Sequence, residues 1–351
     1  MATKARALMY AARPLFNSAT PYISSGANNL VCFGSADATR WQTAITANEA
    51  VITWATQNGY GIINTGGGVG VPNPNAFDDY GNATSTPSNK EVIQAFKQND
   101  WNNKLFKFYN PTRSNITPQG NTDRYLIDHY GVLTNFVTNY YRADGTDQVW
   151  PGQGAANALP YADYAAKMQA MEPRFKADNY AHGIDAWNNP GSTPWTYANC
   201  SSGSNHNGGY GLGDGQSTKF YFRAGTRGWF EFPLFRMSEF YLNLAEAYNE
   251  SGNAVKALQN LNIVHNRAGL PSITITDPTQ LRKIIQREWA VEFYNENKRY
   301  FDVKHWKLAD IGNGVLGGSM REFQFVLVPG QTNDRLPQNL QSYYDQVTYS
   351  A

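Results

Sequence analysis

The chain has 351 residues, enough to bury a sizeable core. Lys plus Arg number 29 and Asp plus Glu 28, so no field of one sign exists to draw nucleic acid, anionic lipid or a polyanionic substrate. Charged residues are only 16% while aromatics reach 14%, with 9 Trp and 22 Tyr; polarity comes instead from Asn, Gln, Thr, Ser and Gly, and amides beside flat apolar rings suit a neutral ligand such as a sugar.

In chain order, residues 3–13 place Ala5, Leu8, Met9 and Ala12 on one helical face, and Pro14 ends that helix. The opening MATKARALMYAARPLF lacks a cleavage site after an apolar core, so it reads as an amphipathic helix, not an export signal. No stretch approaches the roughly 18 apolar residues of a membrane span. Residues 39–57 continue with Trp41, Ala44, Ile45, Ile52 and Ala55, a stripe interrupted by Asn48. Residues 64–230 hold little sustained periodicity. Runs such as TGGGVGVPNPN and NCSSGSNHNGGYGLGDGQST are loops by local criteria, too long for simple connections and too aromatic for disorder. EVIQAF at 91–96 and FQFVLV at 323–328 are the best short strands.

Residues 235–271 form the sharpest unit: Tyr241, Leu244, Ala245 and Tyr248, then Ala257 and Leu261, closed by Pro271, follow the spacing of a tetratricopeptide helix pair, with Asn253 as cap of the second helix. A third helix has Asp277 as N-cap and Pro278 at its first position, and is expected to run to about Asn297. Helical counting from Leu281 through Ile285 reaches Glu288 and Glu292, two carboxylates on the face that should meet the core.

No nucleophile elbow, P-loop or dinucleotide fingerprint is present, and the five histidines have no metal-ligand spacing, so neither metal nor cofactor is expected. Glu288 and Glu292 are the only acid pair that could serve a glycoside hydrolase. Arg267, Arg287, Arg299, Asp302 and Lys304 lie near the same helix and its exit, so a buried ion network is the simpler account. Cys32 and Cys200 either pair or stay free. Aromatic residues of the loops are the candidate ligand contacts: Trp101, Tyr109, Trp150, Trp187, Trp195 and Tyr197, each of which could instead anchor its own loop.

FRMSEFYLNLAEAYNESGN, LNIVHNRAGLP and QREWAVEFYNENKRYFDVKHW, at 235–308, resemble the SusD/RagB family's consecutive signatures. Weaker echoes stand in NITPQGNTDRYLIDHYG and MEPRFKADNYAHG. The resemblance marks Glu246, Arg267, Glu288, Glu292, Arg299, Asp302 and Trp306 as structural signature. It departs at His265 and Trp289, where the family often has arginine, and at Asn297, where glycine is usual. It implies a mostly α fold, one SusD-like domain over 1–351 without its N-terminal part. Tetratricopeptide-like helix pairs are expected as scaffold at 1–63 and 231–308, with a loop-rich, irregular ligand-binding region at 64–230, few short strands and a C-terminal extension at 309–351. It further implies a non-catalytic protein, lipid-anchored on the outer face of the bacterial outer membrane, that binds oligosaccharides or polysaccharides and passes them to a TonB-dependent, SusC-like transporter. A protein-interaction scaffold of that transporter complex is the alternative, and a hydrolase a more distant one.

Overall fold

The structure, a computed structural model, describes residues 1–23, 26–98, 132–180, 199–200, 216–217, 219–221, 230–309, 315, 318–331 and 339–350. Its helices are α1 (Ala2–Ala12), α2 (Thr39–Gln57), α3 (Ala76–Ser85), α4 (Thr134–Val137), α5 (Tyr161–Gln169), α6 (Pro173–Asp178), α7 (Met237–Glu250), α8 (Ala254–Arg267), α9 (Pro278–Glu292) and α10 (Arg299–His305). Its strands are β1 (Val92–Gln98), β2 (Leu159–Pro160), β3 (Asn179–Tyr180), β4 (Asn199–Cys200), β5 (Gln216–Ser217), β6 (Phe230–Arg236), β7 (Ser319–Leu327) and β8 (Leu340–Ser350). Two compact units result: Met1–Asp79, Ser88–Phe96 and Phe232–Ile311 form one, and Tyr80–Pro87, Lys97–Glu231 and Gly312–Ala351 the other.

The first unit is helical, and α7 is its axis. Twelve of its residues, from Met237 to Asn249, are buried, so this helix is enclosed on nearly every side, with α2, α8 and α9 packed against it. Alanines at the crossings let backbones approach: Ala44 on α2, Ala245 on α7 and Ala257 on α8 are fully buried. Leu261 and Leu281 are enclosed beside them, each contributing about 1.5–3 kcal/mol through lost water contact. The polar break in the α2 stripe has a partner. Asn48 donates to the Ala44 carbonyl (2.8 Å) and accepts from Asn243 of α7 (2.9 Å), so a fully buried amide is satisfied at the α2–α7 crossing. Val51, not Ile52, takes the fully buried place in that stripe, while Ile52 packs at its margin.

Local signals set the helix ends. Gly252 (φ 78°) turns the chain between α7 and α8, and the Asn253 side chain accepts from the Lys256 N–H (3.1 Å). Asp277 accepts from the Gln280 N–H (2.8 Å), with Pro278 at the first position of α9. That helix stops at Glu292, short of the expected Asn297. Asn295 (φ 55°) and Asn297 (φ 58°) adopt left-handed backbone, which no helix can continue through. Asn297 stands where the family has glycine, and asparagine is among the few other residues that tolerate this conformation.

The second unit centres on a four-stranded sheet of order β2-β8-β7-β4. β7 and β8 run antiparallel, with Phe323 opposite Asp345 and Phe325 opposite Tyr343, while β2 joins β8 antiparallel and β4 joins β7 parallel. Tyr164 of α5 packs edge-on against Phe325 and Tyr343, each 4.9 Å away between centroids. The sequence reading had β7 but missed β8, although Tyr343, Tyr344, Val347 and Tyr349 are strand-favouring residues.

Candidate functional site

Glu292 and Arg267 of the signature lie in one buried network around Arg236, the last residue of β6. Arg236 donates to Glu292 Oε1 (2.6 Å), to Glu91 Oε1 (3.0 Å) and through its Nε and Nη2 to Glu296 (2.9 and 2.8 Å). Arg267 bonds Glu91 Oε2 (3.0 Å) and Glu292, and the Ser238 hydroxyl bridges Arg236 and Glu91. Burial alone would lower the Arg236 pKa, but Glu296, Glu292 and Glu91 outweigh it and raise it well above the ordinary value. The guanidinium is therefore permanently charged and wholly committed to internal partners.

A second cluster joins α1 to α7 and α10. Arg13, fully buried, bonds both oxygens of Glu246 (3.0 and 2.8 Å) and Asp302 Oδ1 (2.6 Å), and the Trp306 indole N–H also donates to Glu246 (2.8 Å). Rings enclose the Arg13 guanidinium, with Trp306 at 4.8 Å and Trp289 at 5.2 Å. Burial pushes the Glu246 and Asp302 carboxyls up despite Arg13. Nearby, Glu239 bonds Arg6 Nε (2.6 Å) and Lys298 (2.8 Å), which together hold its carboxyl below the usual range against the effect of burial.

The departures from the family pattern have local reasons. His265 Nδ1 lies 2.9 Å from Glu288 Oε2, so an imidazole meets the carboxylate where arginine is usual. Trp289 supplies one of the faces over Arg13. Of the expected network, Arg267 and Asp302 take part, though in separate clusters; Arg299 makes no hydrogen bond or ion pair among the described residues, and Lys304 bonds Tyr300 at the exposed surface. Arg13, Arg236, Glu91 and Glu296 were missed. Arg236 heads the quoted helix motif, but spacing within one helix does not disclose a partner arriving from another segment. Glu288 and Glu292 show no side-chain exposure, so neither can reach a glycosidic bond.

The second unit carries its own buried ions. In the MEPRF segment, Arg174 bonds Glu172 Oε2 (2.7 Å), while the Tyr141 N–H donates to Glu172 Oε1 (2.8 Å). Asp178 accepts from the Tyr80 and Tyr140 hydroxyls (3.0 and 2.9 Å), and burial pushes its carboxyl up to about 7 against the attraction of Lys219.

Of the aromatic candidates, Trp101, Tyr109, Trp187, Trp195 and Tyr197 lie outside the described residues. Trp150 is half-buried, its ring 5.1 Å from Phe323, and its indole N–H has no partner among the described residues. Cys32 is a free, buried thiol.

A groove of about 850 Å³ crosses the outer face of α8, lined chiefly by Ile62, Val69, Leu258, Asn262, Ile263 and Ile273, with no charged side chain in its lining among the described residues. The glycine run forms one wall. Gly67 donates to Asn64 Oδ1 (2.7 Å), and a Cβ at Gly66 or Gly67 would lie 2.9 Å from neighbouring Asn side chains, which would have to shift to admit a larger residue. Asn262 holds the opposite wall, bonding the Ile273 carbonyl (2.9 Å) and N–H (2.8 Å).

The profile of the SusD family matches residues 64–346. Comparison with curated protein sequences finds no match. Among solved structures, a SusD-like protein from Bacteroides fragilis is similar at 20% identity and TM-score 0.69, over 99% of this chain and 58% of its own. The selenomethionine form of BT4246 matches at 22% and 0.71, over 98% and 66%. A SusD-like carbohydrate binding protein from Bacteroides fragilis matches at 17% and 0.54, over 88% and 57%. The chain thus spans 57% to 66% of the length of these relatives, and at such identities the likeness shows the fold.

Proposed function

Since this chain belongs to the SusD family, we propose that it binds oligosaccharides or polysaccharides at the cell surface without chemical change and hands them to a TonB-dependent outer-membrane transporter. The family match carries the reading, and the likeness to a protein named as carbohydrate binding supports it. A near-balanced charge suits a neutral glycan. The full burial of Glu288 beside His265 and of Glu292 beside Arg236 and Arg267 supports a non-catalytic role, since an acid and base must face the scissile bond. Lipid anchoring at the outer face of the outer membrane belongs to the same proposal. No helix among the described residues is long and apolar enough to cross a membrane.

In this reading Trp101, Tyr109, Trp150, Trp187, Trp195 and Tyr197 stack on sugar faces while amides and arginines bond the hydroxyls. Calorimetry or affinity electrophoresis against a glycan panel tests it. Binding to at least one neutral glycan is expected, and a folded sample that binds none refutes it. The groove over α8 favours a second role, as a scaffold whose uncharged helix surface seats an apolar segment of the transporter. Leu258→Glu then abolishes transporter pull-down and leaves glycan binding intact; unchanged pull-down refutes that role.

A further inference from the structure

The β7–β8 pair carries a feature that the buried ion networks and the loop aromatics leave unused. A polar cavity of about 300 Å³ is lined by Asn135, Gln153, Ser319, Arg321 and Val347. Asn135 fixes its wall to β7, donating to the Ser319 carbonyl (3.1 Å) and accepting from the Arg321 N–H (2.8 Å). Register slips by one residue there, Met320 facing Tyr349 and Arg321 facing Val347. Such a bulge re-aims side chains and recurs beside binding sites.

Arg321 Nη1 lies 2.8 Å from Asp345 Oδ2, with the aspartate side chain 4% exposed and the arginine 28%. Thr134 and the Gln346 N–H also bond this carboxylate, yet its Oδ1 is buried without a partner among the described residues. The side chains of Gln153 and Ser319 make no hydrogen bond among those residues. An amide and a hydroxyl that face a cavity with no protein partner are the groups a ligand hydroxyl can bond.

We propose that this cavity is a subsite for one ring of a neutral sugar, with Arg321 and the Gln153 amide donating to ring hydroxyls, the Gln153 carbonyl and Ser319 hydroxyl accepting from them, and Val347 against the ring carbons. The guanidinium and carboxylate cancel in charge, so neither an acidic nor a basic ligand gains. A hydroxyl donates and accepts at once, which matches a donor and an acceptor side by side. The volume lies at the low end for small-molecule pockets and fits one ring, not an oligosaccharide. The proposal rests on the glycan-binding reading above and adds the place and the unit recognised.

The test uses the full chain with methyl glycosides of glucose, galactose, mannose and xylose, and with their oligosaccharides, followed by calorimetry and ligand-observed NMR. Gln153→Ala and Ser319→Ala leave the Arg321–Asp345 pair intact, and a thermal melt confirms folding. Each is expected to weaken whichever sugar binds by about fivefold, and Arg321→Lys, which loses the planar fork, by more. Wild-type affinity in all three variants overturns the cavity while the glycan-binding reading stands. A wild-type chain that binds no sugar overturns both.

Discussion

The buried carboxylates Glu246, Glu292 and Asp302 are each matched to an arginine, so removing one member should hurt more than the pair's net worth. Glu292→Gln takes the shared anion from Arg236 and Arg267, and a broken buried pair typically costs about 3–5 kcal/mol. Urea denaturation should show that loss, with no reducing ends released by wild type or variant; a variant as stable as wild type would contradict the network. His305 gives a pH prediction. Its ring packs on Tyr10 and Phe16 (4.2 and 5.3 Å), and burial, with Arg13 nearby, lowers its pKa from 6.5 to about 4. The unfolded chain takes up the proton first, so the stability from a neutral His305 is whole above pH 6.5 and is lost as pH falls towards 4. His305→Phe keeps the ring contacts without the titration. Its stability relative to wild type should therefore rise across that window, and parallel curves would contradict the assignment. Glu288 and Glu292 were legible as inward-facing acids because helical spacing alone places them. Arg236, which Glu292 bonds, and Glu91, which shares that arginine, come from other segments, and no local pattern carries that information.

Helix starts were legible because capping is local chemistry, and their contribution can be measured. Asp277→Ala removes the acceptor for the Gln280 N–H and should cost about 1 kcal/mol by chemical denaturation. The Asn48–Asn243 bond poses a harder question, since losing either amide leaves a buried polar atom of the other, Asn48 Oδ1 or Asn243 Nδ2, without this partner. A double-mutant cycle with Asn48→Leu and Asn243→Leu should show each single change costing more than half of the double, because the second removes an orphan that the first created. Additive effects would mean the two amides act independently. Helix stops were less legible: the apolar stripe of α9 gave no warning of the left-handed asparagines that end its run. β8 was missed for a different reason. Its residues pair with β7, and strand formation depends on that neighbour more than on intrinsic preference.

For the whole molecule, the balance of 29 basic and 28 acidic residues makes a statement about binding. Affinity for a neutral glycan should stay constant from about 0.05 to 0.5 M salt, a span over which the Debye length shrinks about threefold. A steep fall would point to a charged ligand. The fold class was legible through 235–308, where periodicity and resemblance coincide. The ligand contacts were not, because stacking rings and amides need no fixed spacing and each looks the same as an anchor for its own loop.

The cluster around Arg13 also bears on how the chain is made. Its partner Asp302 lies 289 residues downstream, and at about 5–20 residues per second a ribosome delivers it roughly 15–60 s later. Glu246 and Trp289 are made earlier, so until Asp302 and Trp306 emerge α1 can pack on α2 while Arg13 has one of its two anions and part of its ring cover. The junction of α1 with α7 and α10 therefore closes only after α10 has been made.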